Sequence, residues 1–446
     1  MRLRPLVLAF SIAVGASPSA WAQMQLTSSA GPALETLSVG GGRSLTNRGL
    51  ASGLKLGEGA ILHAGIFADI GYDSNVFYAT SSSDKTSPVL HVTPRLEITN
   101  AERDGSIPGG TYYDLAASVD FRRYLSNSSD VTEQDAINPT VGGSAEFSSG
   151  QAVSFGLTET FSRNQMAPYQ AGDPITRDDN MAAATLRFAP GGGRLKVMLR
   201  YTNLIDKYEG SYDSGSNMGN EGVLDIGWRW LPRTSLYAQV AQGAITYLNT
   251  AYDANKRPID RSSYPLRTLL GIRGLLTEKL GVNIAAGYSN AFYSAGTTPS
   301  GFNGNVGIVT EINYTMSLLS RAGIGYHHDF INSPFLGQYY NMDAVYGTYQ
   351  QVVASRLVTY LYGRFENRRF GTTIEPVTQT PFNRVDNYVI AGAAIDYMIG
   401  NFLMLGASYS LALNRTISGT DSSLGPAFAP LDYTKHVLLF RVGAVY

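Results

Sequence analysis

The sequence predicts an all-β fold: a transmembrane antiparallel β-barrel of about 18 strands, with short periplasmic turns and long extracellular loops. Three observations lead there. Segments of roughly 10–15 residues alternate apolar and polar side chains; this is twice the usual soluble strand and suits a tilted bilayer crossing. Their connectors alternate between tight turns and long polar stretches. Hydrophobic residues make up 44% and charged residues only 15%, yet nothing after the first residues approaches an apolar run long enough for a membrane helix.

The chain has 446 residues, with 28 tyrosines, 18 phenylalanines and 48 glycines. A net charge of -1 leaves no electrostatic footprint for nucleic acid. With no cysteine, a disulfide framework, a thiolate metal site and a lipidated cysteine are all excluded. The amino terminus joins Arg2 and Arg4, an apolar stretch from Leu6 to Val14, and Ala20-Trp21-Ala22, so residues 1–22 read as a secretory signal peptide. The apolar stretch is too short for a membrane anchor. Residues 23–60 are Gly/Ser-rich with little periodicity and read as a mostly disordered periplasmic arm, or alternatively as a plug in the lumen. The barrel is expected over 61–446.

The alternation recurs along that span. Leu90, Val92, Leu96 and Ile98 share one face, with His91, Thr93, Arg95 and Glu97 on the other. Leu115, Ala117, Val119 and Phe121 oppose Asp114, Ser118, Asp120 and Arg122. Leu195, Val197, Leu199 and Tyr201 oppose Lys196 and Arg200; Leu224, Ile226, Trp228 and Trp230 oppose Asp225 and Arg229. In the last segment Leu438, Phe440, Val442, Ala444 and Tyr446 oppose Arg441 and Lys435, although Val437 and Leu439 break the polar face. Glu159 falls on an apolar face, which marks either a membrane interface or a bulge. Aromatic pairs near segment ends (Trp228 with Trp230, Tyr288 with Phe292, Tyr339 with Tyr340) suit interfacial girdles.

Short connectors include 148–150, 190–193, 231–234, 275–279 and 400–401; long ones include 73–87, 125–137, 164–179, 206–218, 248–262, 369–384 and 415–432. The stretch 100–111 is an exception, long but on the short-turn side. An even strand number puts both ends of the barrel on the periplasmic side. The final strand, ending at Tyr446, looks like the signal read by the barrel-assembly machinery.

"GLKLGEGAILHAGIFADIGYDSNVF" resembles the opening of the β-barrel porin 2 family of bacterial outer-membrane proteins, most locally at "GYDSNVF" (71–77). That resemblance implies an association with exopolysaccharide synthesis and export. It carries no catalytic residues; Tyr72, Asp73 and Asn75 match the motif and are expected only to form a turn.

By parity, Arg95, Arg122, Arg187, Lys196, Arg200, Arg229, Arg267, Arg273, Arg321, Arg356, Arg364, Arg368 and Arg441 are expected to line the lumen. The acids expected there are Glu97, Asp114, Asp120, Asp225, Glu311, Asp343, Glu366, Asp386 and Asp396. Mixed charge stays solvated in a water-filled lumen, and the modest basic excess is compatible with anion preference or with a merely wet wall. Of the five histidines (His63, His91, His327, His328 and His436), the adjacent pair His327-His328 points to opposite strand faces and cannot share a metal. No metal site, cofactor or catalytic residue is expected. The expected function is passive passage of a hydrophilic solute or secreted polysaccharide across the outer membrane. The alternatives are a closed docking barrel that anchors an export assembly and, less favoured, a rim hydrolase using His327 or His328. Expected partners are outer-membrane lipid and lipopolysaccharide, the assembly machinery, polysaccharide cargo and periplasmic export proteins.

Overall fold

The computed structural model describes residues 53–446 apart from 58, 80–84, 101–109, 167–174, 253–257, 295–304, 318, 333–338, 355, 371–372, 375–380, 383, 401 and 419–431. The expected signal peptide, and the amino-terminal arm as far as residue 52, lie outside the described residues.

Eighteen strands make up the wall. They are β1 (Ile61–Asp73), β2 (Ser87–Thr99), β3 (Thr111–Tyr124), β4 (Ala136–Phe147), β5 (Val153–Met166) and β6 (Ile175–Phe188). Next come β7 (Leu195–Tyr208), β8 (Asn217–Leu231), β9 (Thr234–Tyr247), β10 (Leu266–Leu275), β11 (Leu280–Asn290) and β12 (Val306–Ser317). The last six are β13 (Ser320–Asn332), β14 (Tyr339–Val353), β15 (Leu357–Phe370), β16 (Val385–Ile399), β17 (Leu403–Ser418) and β18 (Tyr433–Val445). Each pairs antiparallel with its sequence neighbours, and β18 returns to β1 from Gly65↔Val445 to Asp73↔Val437. The sheet closes on itself and has no free edge. A barrel of this strand number encloses more space than its side chains can fill.

The closing seam depends on one small residue. A Cβ at Gly71 would lie 1.8 Å from the Leu438 backbone oxygen, so any side chain pushes β1 away from β18. We expect Gly71→Ala to cost at least the roughly 1–3 kcal/mol of ordinary overpacking. Loss of the heat-modifiable band that marks a folded barrel on gels would report it.

Burial is inverted relative to a soluble protein. Leu115, Leu199, Leu270, Ile324 and Phe440 face outward and are 55%, 54%, 71%, 56% and 55% exposed. On the same strands or their neighbours, Asp69, Glu97, Thr202 and Asp225 face inward and are buried. An apolar outer wall of this extent fits hydrocarbon, whereas monomeric soluble proteins rarely expose contiguous apolar patches beyond a few hundred Å². Trp228 and Trp230 lie on that outer wall near the short-turn end, as a girdle requires. Tyr339 and Tyr340 do not: both are buried, Tyr340 against Met342 and Phe370 and Tyr339 against Phe330.

The turn chemistry divides the two ends. Between β6 and β7 the chain reverses through Pro190–Gly193, with Gly191 at φ +60 and Gly193 at φ +74, a backbone that side chains resist. The other end carries the long connections, including a short helix α1 (Ser129–Thr132) between β3 and β4. Leu54–Lys55, at the end of the expected arm, forms a two-residue strand against Ile61–Leu62 of β1.

Candidate functional site: the barrel lumen

Strand parity places Arg95, Arg122, Arg187, Lys196, Arg200, Arg229, Arg267, Arg273, Arg321, Arg364, Arg368 and Arg441 on the inner wall, with Asp114, Asp120, Asp225, Glu311 and Asp396. Two expected lining residues are elsewhere. Asp343 faces outward: it shares its side of β14 with exposed Val345 and pairs in register with His328, whose Nδ1 is 2.7 Å from its carboxylate. Arg356 sits in the turn between β14 and β15, where strand parity no longer applies.

Most inward charges are paired. In the half nearer the long loops these are Lys435–Asp73 (2.9 Å), Arg267–Asp329 (2.6 Å), Arg384–Asp386 (2.8 Å), Arg177–Asp206, and Glu366 between Arg364 (2.5 Å) and Arg368 (2.6 Å). Nearer the short turns, Arg441 meets Asp69 (2.6 Å), Arg95 meets Glu97 (2.9 Å), Arg273 meets Asp225 (2.5 Å) and Arg187 meets Glu146 (3.1 Å). Arg122 donates to the carbonyls of Gln134 (3.1 Å) and Gln165 (2.7 Å), and Arg321 to the Gln350 side chain (2.8 Å). Pairing keeps these charges from being stranded in a low-dielectric wall. It also reduces the field left for a passing ion.

The residues of the 71–77 motif do more than turn the chain. After Asp73 the loop folds into the lumen: Val76 and Phe77 are fully buried with inward-facing Val89, Tyr124 and Leu439 and with Val131 of α1. Tyr78 reaches Tyr388, Tyr433 and Ala412 on β16–β18, with ring centroids 5.2 Å apart at Tyr433. Asn75 holds the fold. Its side-chain amide donates to the carbonyls of Ala79 (2.7 Å) and Thr434 (3.1 Å), and its side-chain oxygen accepts from Ala79 N–H (2.9 Å). Asp73 accepts from the Asn75 backbone N–H (3.0 Å) and meets Lys435, so the loop base is pinned to β18. A second clamp joins the loop to α1, where Lys85 Nζ lies 2.5 Å from Asp130.

That ammonium, hydrogen-bonded to the Asp130 carboxylate, holds its carboxyl below its ordinary value. A depressed acid stabilises the clamped form above its ordinary value and loses that contribution as pH falls through the lowered one. We expect acidification to loosen the loop in the wild type, read as faster proteolytic cleavage between β1 and β2, and Lys85→Ala to be loose at all pH values.

Below this loop the lumen opens. A cavity of about 330 Å³ is lined by Thr93, Arg95, Asp114, Ser118, Thr140, Ser144, Thr158 and Thr160 on one side and by Phe67, Asp69, Asp396, Met404 and Arg441 on the other. Between Thr140 and Ser144 on β4 and between Ser154 and Ser162 on β5, every inner position is small or hydroxylated. Half-way round the barrel, β14 and β15 present Tyr346, Tyr360 and Tyr362 inward, the last two stacked at 5.9 Å. Gly406 leaves room for the Asp396 carboxylate, since a Cβ there would lie 2.3 Å from its Oδ1. Rows of hydroxyl donors and acceptors beside charged groups can hydrogen-bond a polyhydroxylated solute.

The hydrolytic candidates do not assemble. His327 points inward and His328 outward, as expected for neighbours on a strand. His91 contacts Asp120 (3.1 Å), but Thr93 donates its hydroxyl proton to the same carboxylate rather than to the imidazole, so no nucleophile–base pair forms. Among the described residues no three His, Asp or Glu side chains group to hold a metal.

No protein-family model matches the chain and no curated protein matches it in sequence, so the resemblance of its opening to the β-barrel porin 2 family rests on those residues alone. Among solved structures, the barrel is similar to the outer membrane protein OpdK from Pseudomonas aeruginosa, at 10% identity and a TM-score of 0.44 over 86% of this chain and 99% of that one. It is also similar to OccAB3 from Acinetobacter baumannii (10% identity, TM-score 0.42, 86% and 99% covered). The siderophore receptor PirA from Acinetobacter baumannii gives 7% identity and a TM-score of 0.42, with 86% and 80% covered. At these values no residue role passes to this chain.

Proposed function

We propose that the chain is an outer-membrane channel for passive passage of hydrophilic solutes, with its short turns in the periplasm and its long loops outside. The supporting observation is the cavity along the hydroxyl-rich inner wall of β2–β5 within a closed, externally apolar barrel. Saccharide chains are the cargo this lumen favours, since rows of Ser and Thr on β4–β5 match hydroxyl groups and the inward rings of Tyr346, Tyr360 and Tyr362 on β14–β15 match sugar-ring faces. Export of a secreted polysaccharide remains the physiological reading that the opening motif implies.

Reconstitution into planar bilayers tests this. We expect a steady current interrupted by a soluble neutral oligosaccharide, with shorter interruptions in Tyr360→Ala/Tyr362→Ala. A current indifferent to oligosaccharide would remove the saccharide reading and leave the channel. Complete silence would favour the closed docking barrel, a second reading supported by the packing of Phe77 and Tyr78 across the upper lumen.

A further inference from the structure

The charged residues that line the lumenal cavity are Asp69, Asp114 and Asp396 against Arg95 and Arg441, so acids outnumber bases there. Both guanidiniums are already engaged. Arg441 Nε donates to Asp69 (2.6 Å), and Arg95 donates to Glu97 (2.9 Å). Asp114 accepts from the Tyr112 hydroxyl (3.1 Å). Asp396 differs: among the described residues no hydrogen-bond donor and no ion-pair partner meets its carboxylate, and Arg441 acts on it only through space.

The strand register explains how this arises. One inward row runs through Asp69 of β1, Arg441 of β18, Gly406 of β17 and Asp396 of β16. Gly406 contributes no side chain, and the Asp396 carboxylate leans over it into the space left. Two carboxylates therefore flank one guanidinium that pairs with only one of them. A carboxylate left over in a polar cavity attracts a cation. A divalent ion needs several oxygens converging on one point, and no three acidic or histidine side chains group in this way among the described residues. An ammonium group on a solute needs less: one carboxylate, with hydroxyl oxygens as further acceptors. Thr93, Ser118, Thr140, Ser144, Thr158 and Thr160 line the same cavity and supply hydroxyl groups.

We propose that this cavity selects amino sugars, with Asp396 receiving a protonated ring amine and the Ser and Thr rows receiving the hydroxyl groups. The inference rests on the saccharide reading above and narrows it to one substrate class.

The test compares a glucosamine trimer with its fully N-acetylated counterpart at about pH 6, where the free amine is protonated. The two probes differ only at the amine. Interruptions of single-channel current and calorimetric titration of the folded barrel in detergent are read in parallel. We expect the glucosamine trimer to dwell longer and to bind about tenfold more tightly than the acetylated one. Asp396→Asn should abolish that ratio and leave the acetylated trimer unaffected. Gly406→Ala keeps every charge but displaces the carboxylate, and should lower the ratio several-fold. Lys196→Gln, inward on β7 and outside the cavity, should leave the ratio unchanged. Heat-modifiable migration confirms folding in every variant.

Equal affinities and equal dwell times for the two trimers would overturn this inference while leaving the saccharide channel standing. A ratio moved as far by Lys196→Gln as by Asp396→Asn would also overturn it, since a diffuse field would then be the cause. Absence of current with the ratio intact in calorimetry would sink the channel reading and keep the site. Failure of both trimers to bind would overturn both.

Discussion

Replacing Ser74–Ala79 by a short glycine link should raise single-channel conductance several-fold, because this segment occupies the upper lumen. The single substitution Asn75→Ala should move conductance in the same direction. It removes the side chain that accepts from Ala79 N–H and donates to two carbonyls inside a buried loop. Each buried polar group left unpaired costs about 1–3 kcal/mol, which loosens the segment while its apolar contacts at Val76, Phe77 and Tyr78 remain, so the rise should be smaller than for the glycine link. Asn75→Asp, which keeps the acceptor and loses the donors, should fall between the wild type and Asn75→Ala. Unchanged conductance in all three would mean that solute bypasses the loop.

A second large effect is expected on the outer wall. Leu224→Arg, half-way along β8 and facing lipid beside Ile226, should cost about 2–4 kcal/mol, read as a lower midpoint in urea unfolding from vesicles. Thr158→Arg, on the lumen side of β5, should leave that midpoint nearly unchanged and reduce conductance instead. The two variants add the same side chain to opposite faces, so the contrast between them isolates the surrounding medium.

The sequence carried the wall well and the lumen poorly. Alternation in segments such as Leu90–Ile98 and Leu224–Trp230 reports directly which side meets lipid, because hydrocarbon tolerates few polar groups. Near the long loops that rule weakens. In β14 the inner positions hold Met342 and Ala344, which pack with Ile331 and Phe370, while the outer positions hold Asn341 and Asp343. Polarity there is the reverse of the membrane pattern, and Asp343 was assigned to the wrong face for that reason. The inward loop was missed because its apolar residues, Val76 to Ala79, fall in a connection that composition alone marks only as a turn. An apolar run inside a long loop was the available sign. The hydroxyl wall is written in the sequence as Thr158, Thr160 and Ser162, uncharged positions that the parity of Arg, Lys, Asp and Glu alone does not mark.

The central claim is that lipid meets one face of every strand and water the other. Single cysteines across β3, at Leu115, Ala116, Ala117, Ser118 and Val119, test it with a membrane-impermeant thiol reagent on intact proteoliposomes. The reagent should modify Ala116→Cys and Ser118→Cys, whereas Leu115→Cys, Ala117→Cys and Val119→Cys should react only with a lipid-soluble probe. Uniform reactivity along the strand, or modification of the odd positions from water, would contradict the barrel described.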